Sequence, residues 1–274
     1  MRIEDAEALR NLVQSRSGVV IDPAKTYLVE TRLGPLARRE GFPSHDELLA
    51  AMRAKRDDRL IWAVTEAMTS SETAFFRDRD TFDAIRQSIL PKFAGRTTPV
   101  KIWSAACAGG QEPYSLAMML DDEAARLDGA AVELFASDLS EACLEKARSG
   151  LYSQFEVQRG LPIRSLIRHF SKQGEMWRIS AGLMAKVRWR RINLLADLAP
   201  LGRFDMIFCR YVVGSFDAAT RRRVIGQLKA LLTDDGYLVL GQDETAGEME
   251  GLHPVGDYPG IYTRHAPQQG AAAA

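Results

Sequence analysis

Up to about residue 95 the apolar positions recur three and four apart, and nothing alternates as a strand would. Leu9, Leu12 and Val13 share one helical face, and Ser44 with Glu47 forms a capping-box pattern ahead of Leu48, Leu49 and Met52. Leu60, Ile61, Val64 and Met68 continue the spacing, and Phe82, Ile85, Ile89 and Phe93 repeat it. Gly18, Pro23, Gly41 and Pro43 fall between the pieces, where helices end. The pattern predicts an all-helical N-terminal domain over residues 1–95.

After "AGRTTP" the rhythm changes. Short apolar runs, "VKIWSA", "VELFASD", "FDMIFCR" and "GYLVLGQ", alternate with helical patterns, which predicts an α/β domain with a doubly wound, mostly parallel sheet over 96–265. A ligand of such a sheet lies beyond the carboxyl ends of its strands, where the connections leave on opposite faces. A longer segment, 150–192, separates the second and third runs. Within it "EMWRIS" and "KVRWRRI" read as strands of a small antiparallel β-subdomain inserted beside the main sheet. The stretch 266–274 has no periodicity and is expected to be a disordered tail.

Composition narrows the function without naming it. A chain of 274 residues, 46% hydrophobic, is long enough for two cored units. Lys plus Arg and Asp plus Glu number 36 each, so no excess charge points to nucleic acid or to a membrane surface. The start, "MRIEDAEALR", is charged where a signal peptide would be apolar, and no run is long enough to span a bilayer, so a cytoplasmic protein is expected. Cys107, Cys143 and Cys209 are odd in number, far apart and without metal-ligand spacing, which suggests neither a disulfide framework nor a metal site.

The chemistry concentrates after the first strand of the sheet. In "SAACAGGQEP" the residues from Ala105 to Gly110 carry little side chain, so a ligand can approach the main chain at a helix entrance, and Pro113 suits the first helical turn. The G-x-G-x-x-G spacing of a dinucleotide site is absent. Glu112 would repel phosphates there but would welcome an ammonium group. A sulfonium nucleoside with an amino-acid end, S-adenosylmethionine, fits that polarity. Asp138, ending the second strand, is placed to accept from both ribose hydroxyls, or else to cap the helix that follows, a task Ser140 can also perform. "FDMIFCRYVVGSFD" brings a buried strand to the same crevice and lacks the Asn/Asp-Pro-Pro-aromatic motif common in amino-group methylases of nucleic acid.

These residues together resemble the CheR-type chemotaxis receptor methyltransferases. The resemblance runs from residue 1 to about 264 through "MTSSETAFFRD", "IWSAACAGGQEPYSLAMML", "ASDLSEACLEKARSGLY", "NLL" at 193–195, "FDMIFCRYVVGSFD" and "LLTDDGYLVLGQDE", in the family's order. It implies a Rossmann-like class I methyltransferase domain behind a helical domain, with a β-subdomain that docks a receptor tail peptide in some members. It also implies S-adenosylmethionine as cofactor, S-adenosylhomocysteine as product, glutamates on receptor cytoplasmic domains as acceptors, and a role in signal transduction.

Carried onto this chain, the implied cofactor contacts are Ser71, Thr73, Arg77, Ala105, Glu112, Asp138, Asn193, Leu194, Arg210 and Tyr211, with Arg77 and Tyr211 closest to the chemistry. Two departures stand out. The family's Cys-Arg-Asn-Val-x-Ile-Tyr-Phe-Asp reads here Cys209-Arg210-Tyr211-Val212-Val213-Gly214-Ser215-Phe216-Asp217, and its Gly-His-Ser-Glu reads Gly241-Gln242-Asp243-Glu244. A tyrosine has replaced the asparagine, and Ser215 the tyrosine beside the transferring methyl. An alternative expectation follows: a CheR-like chain that binds S-adenosylmethionine, S-adenosylhomocysteine or a signalling partner without methylating receptors.

Overall fold

The computed structural model describes residues 3–24, 27–55, 57–69, 72–247 and 249–264; Ser71 and the expected tail at 266–274 lie outside them. Four helices come first: α1 (Ile3–Ser17), α2 (Tyr27–Arg39), α3 (His45–Lys55) and α4 (Asp58–Met68). Their apolar stripes meet in one core, with Leu9, Val13, Leu33, Leu48, Val64 and Met68 all buried. Ser44 accepts the Glu47 N–H at 3.2 Å, and Asp57 caps α4 by accepting from Arg59 N at 2.9 Å. Each thereby satisfies a donor that a helix start leaves unpaired.

The helical stretch with Phe82, Ile85, Ile89 and Phe93, counted with the N-terminal domain from its spacing, packs elsewhere. α5 (Arg79–Ala84) and the π-helical and 3₁₀ turns after it through Phe93 bury these side chains in the core under the sheet, among Ile102, Leu116 and Met206. Helical periodicity reveals that a face is apolar, not which surface will cover it.

The main sheet is built from β1 (Val100–Ala105), α6 (Gln111–Asp122), β2 (Val132–Asp138) and α7 (Glu141–Ser149), and resumes after the insertion. The insertion comprises β3 (Leu151–Ser153), α8 (Gln154–Gln158), α9 (Ile163–His169), β4 (Phe170–Gln173) and β5 (Met176–Ile179). Then follow α10 (Ala181–Met184), β6 (Val187–Arg191), β7 (Phe204–Phe208), α11 (Ala218–Ala230), β8 (Leu232–Val239), β9 (His253–Pro254) and β10 (Ile261–Thr263). The spatial order is β6-β2-β1-β7-β8-β10-β9, with β6 through β8 parallel and the last two strands antiparallel. The chain builds outward from β1 to β6, then crosses to β7 and builds the other way. The switch point, where such sheets bind ligands, therefore lies at the carboxyl ends of β1 and β7. All five residues of β7 are buried, as a strand covered on both faces requires.

"KVRWRRI" corrects the expected insertion. β6 pairs in parallel with β2, from Leu134 opposite Val187 to Asp138 opposite Arg191, and so belongs to the main sheet. The separate antiparallel sheet, ordered β3-β5-β4, ends at Ile179 rather than near 192. β6 is an edge strand with Val187 buried and Arg188 and Arg190 exposed. That alternation is the pattern an antiparallel strand with one wet face also shows.

Candidate active site

β1 runs into the small-residue loop at the switch point, and the loop's bareness has a backbone reason. Ala106 and Ala108 sit at φ 55° and 48°, in the left-handed region, where bulkier side chains are disfavoured. Gly110 has φ 88°, and a Cβ on it would stand 2.7 Å from the Ala147 Cβ. Three of the loop's main-chain N–H groups meet protein: Cys107 N donates to the Ser137 carbonyl at 2.9 Å, Ala108 N to Asp138 Oδ2 at 2.8 Å and Gly110 N to the Cys107 carbonyl at 3.1 Å. Tyr152 donates to the Gly109 carbonyl at 2.7 Å. These bonds hold the loop as a shaped wall of the crevice. Ala105, expected at the crevice, is buried in the core with Trp103, because it still belongs to the strand; Ala106 takes its place.

Two cavities adjoin over this loop. The wider, about 290 Å³, has Asp138, Asn193 and Leu194 on its sheet side. Its other wall comes from the helical domain: Val19, Val20 and Ile21 after α1, Arg32, and Met68 with Thr69 at the end of α4. The narrower, about 120 Å³, is lined by Thr73, Arg77, Cys107, Glu112 and Arg210. Ala106, Tyr211 and Val212 line both, so the two cavities meet at Tyr211. Every expected cofactor contact within the described residues except Ala105 borders one cavity or the other.

In the wider cavity Asp138 accepts from Ala108 N and Ser140 N, each at 2.8 Å, which fixes both of its oxygens. Burial pushes its carboxyl above the usual aspartate range, against the pull of those two N–H groups. Ser140 caps α7, accepting from Cys143 N at 3.3 Å, so Asp138 is not needed as that cap. Asn193 spends its amide on the helical domain, donating to the Arg16 carbonyl at 2.7 Å and accepting from Leu195 N at 3.0 Å. The wall after α1 is tied down by Val20 N donating to the Ser215 carbonyl at 2.9 Å, and α4 by Glu66, which takes Arg191 at 3.0 Å and the Ser140 hydroxyl at 3.0 Å.

The narrower cavity is an ion network. Arg210, 7% exposed, bridges Glu112 Oε2 at 3.0 Å and Asp78 Oδ2 at 2.5 Å and donates to the Arg77 carbonyl at 2.8 Å. Its Nε–H is buried with no hydrogen-bond partner among the described residues. Ser104 donates to the other Glu112 oxygen at 2.8 Å. Phe75 and Phe76 are buried beneath, and Phe76 N donates to Ser115 Oγ at 2.9 Å. Arg77 is thereby left at the mouth, its guanidinium 3.5 Å from the centroid of the Tyr211 ring rather than in an ion pair with Asp78 or Asp80. The Tyr211 hydroxyl donates to Asp78 Oδ2, and burial, then Asp78, pushes the phenol up from its usual range, so it stays protonated. Burial also pushes the Cys107 thiol well up, which leaves it a poor nucleophile.

Residues 71–255 match the model of the CheR methyltransferase SAM binding domain, and residues 4–69 match that of the CheR all-alpha domain. The chain belongs to the CheR methyltransferase family. It is 37% identical over 251 residues to chemotaxis protein methyltransferase 1 of Pseudomonas aeruginosa, covering 89% of this chain and 91% of that one. It is 35% identical to the chemotaxis protein methyltransferase of Vibrio parahaemolyticus, covering 91% and 92%, and 34% identical to chemotaxis protein methyltransferase Cher2 of Pseudomonas putida, covering 88% and 90%.

In this CheR-family chain Asp78 and Glu244 also shape the site, though the sequence pattern assigns neither a role. Glu244 accepts from Tyr211 N at 2.6 Å, Gly241 N at 2.9 Å and Gly214 N at 2.8 Å, gathering the loops after β7 and β8. Two signals were available for Glu244: it keeps the last position of the family's Gly-His-Ser-Glu, and it stands just past a strand, in "GQDE", where a carboxylate faces loop N–H groups. Asp78 carried none, since an acid after an arginine reads as a local ion pair.

Proposed function

We propose that the protein transfers the methyl group of S-adenosylmethionine to glutamate side chains on the cytoplasmic domains of chemotaxis receptors, and that it works in the cytoplasm. The observation that carries this reading is the pair of cavities meeting at Tyr211. One has a fixed carboxylate at the carboxyl end of β2, and the other carries both charges.

The residues fit the cofactor. Together the cavities are of the order expected for a small-ligand site, about 300–1,000 Å³. In the wider one, Asp138 accepts from the ribose hydroxyls with the lone pairs that its two N–H donors leave over, and Leu194 offers an apolar wall to the base. In the narrower one, Glu112 faces the ammonium group and Arg77, at the mouth, faces the carboxylate, while the buried Arg210 behind them balances the charge of Glu112 and Asp78. Thr73 borders the same end, and Ser71, which lies outside the described residues, is kept as a contact on the resemblance alone. No helix among the described residues is long and apolar enough to cross a membrane.

The bound molecule supplies an electrophilic methyl on a sulfonium. A glutamate acceptor, with an ordinary pKa of about 4.3, is ionised near neutral pH and needs no general base. The chain's task is then to orient the acceptor in line with the methyl and to exclude water, contributions worth up to about 7–11 kcal/mol. That task falls in this reading to Tyr211, which borders both cavities, and to Arg77 stacked on its ring.

The test is transfer of labelled methyl to a receptor cytoplasmic fragment. A carboxyl ester releases its label as volatile methanol in alkali; label that stays on the protein, or no transfer at all, refutes the reading.

A further inference from the structure

Tyr211 holds a backbone conformation that its side chain does not favour. Its φ is 59°, in the left-handed region, which glycine or asparagine enters more readily. Such a residue persists where its surroundings over-determine it, and here three contacts do so. Glu244 holds its N–H, Asp78 accepts its hydroxyl, and Arg77 lies across its ring. The same Glu244 carboxylate ties Gly241 and Gly214 to this point, and a Cβ on Gly241 would come within 3.0 Å of the Tyr211 ring and of Glu244 Oε2.

Arg77 is less firmly held. Its one hydrogen bond within the described residues runs from Nη1 to the Glu72 carbonyl at 3.2 Å, and the ring of Tyr211 is its other support. Asp78, its neighbour at φ 59°, is turned away to Arg210 and the Tyr211 hydroxyl, and the Glu72 carboxylate, near enough to feel the Arg77 charge, is hydrogen-bonded to Arg159 at 2.9 Å, so Arg77 rests on a stacking surface without a hydrogen-bonded carboxylate among the described residues. An arginine stacked but not ion-paired keeps its N–H fork free for an incoming carboxylate.

We propose that Glu244 and Asp78 are positioning residues that act through Tyr211. They clamp its ring so that Arg77 is presented, with its fork open, to the carboxylate of the bound methyl donor. The proposal rests on the nucleoside reading of the two cavities.

Calorimetric titration with two probes tests it: S-adenosylhomocysteine, which has the amino-acid end, and 5′-methylthioadenosine, which lacks it. Arg77→Ala and Tyr211→Asn are each expected to weaken S-adenosylhomocysteine about tenfold, as loss of a carboxylate contact or a cation–π support implies. Both should leave 5′-methylthioadenosine within about twofold. The double variant is expected to bind no more weakly than Arg77→Ala alone, because Tyr211 acts through Arg77. Glu244→Gln, which loses an acceptor for the clamped N–H groups, should follow Tyr211→Asn, and Asp78→Asn should do so more weakly. Asparagine suits the left-handed backbone. If that variant still fails to fold, Tyr211→Phe, which keeps the ring and loses the Asp78 bond, carries the same cycle with an expected loss of about threefold. Equal weakening of both probes, or losses that multiply in the double variant, overturn the proposal. If the unmodified protein binds neither probe, the nucleoside reading fails and takes the proposal with it.

Discussion

Arg210→Met tests the electrostatic centre of the site. Arg210 is removed from water, and its guanidinium neutralises Glu112 and Asp78 at 3.0 and 2.5 Å. Methionine fills similar volume but leaves both carboxylates, themselves largely buried, facing each other without a cation. Removing one partner of a buried pair costs about 3–5 kcal/mol, far more than the 0–1 kcal/mol of an exposed pair, because the remaining charge keeps its desolvation cost and loses its compensation. For a chain of this size, with an unfolding entropy of about 2.1 cal/mol/K per residue, that lowers the thermal unfolding midpoint by about 5–9 °C. Urea unfolding followed by circular dichroism should show a lower midpoint at unchanged slope. Arg210→Lys keeps the charge but not the fork and should lose less, since one ammonium cannot serve both carboxylates in the same geometry. Adding Glu112→Gln and Asp78→Asn to Arg210→Met should recover part of the loss. A destabilisation below about 1 kcal/mol would mean that solvent already screens these ions, and the account of the narrower cavity as a compensated buried network would be wrong.

Three further outcomes are expected. Because burial raises the Asp138 pKa above its unfolded value of about 3.9, its contribution favours folding below about pH 4 and is lost as pH rises through the folded value. Nucleoside affinity should move the opposite way, falling on acidification at a pH above that of an ordinary aspartate, and calorimetry on Asp138→Asn should show weaker binding without that fall. Gly160→Ala should destabilise the protein and weaken cofactor binding together, since φ is 84° and a Cβ would lie 2.0 Å from the Phe75 carbonyl oxygen, two residues before Arg77; unchanged affinity in a titration would refute the link. Tyr152→Phe should lower stability by about 1–2 kcal/mol in urea titrations by stranding the buried Gly109 carbonyl.

The order of the elements could be read from the sequence because it is local physics. Period-three-to-four stripes gave the helices of the N-terminal core, short β-rich runs gave β1, β2, β7 and β8, and their alternation with helices implied a switch point and hence the crevice. Asp138, Glu112 and Arg210 were legible for the same reason: each lies at a strand's carboxyl end or in the turn and helix after β1, positions that topology alone aims at that crevice. What stayed hidden depends on distance along the chain. Phe82 and Phe93 have a helical spacing that any apolar surface satisfies, and only packing put them beneath the sheet. Val187 and Trp189 alternate as an edge strand in either orientation would, and only the register with β2 decided that β6 is parallel. Arg77 is separated from Tyr211 by well over a hundred residues, and Tyr211 from Glu244 by 33, so neither the stack nor the clamp leaves a local pattern. The sequence determined which groups could reach the crevice, because strand ends and turns are set by neighbouring residues. The tertiary structure alone decided which of them touch, because a charge's partner is chosen by burial and distance in space.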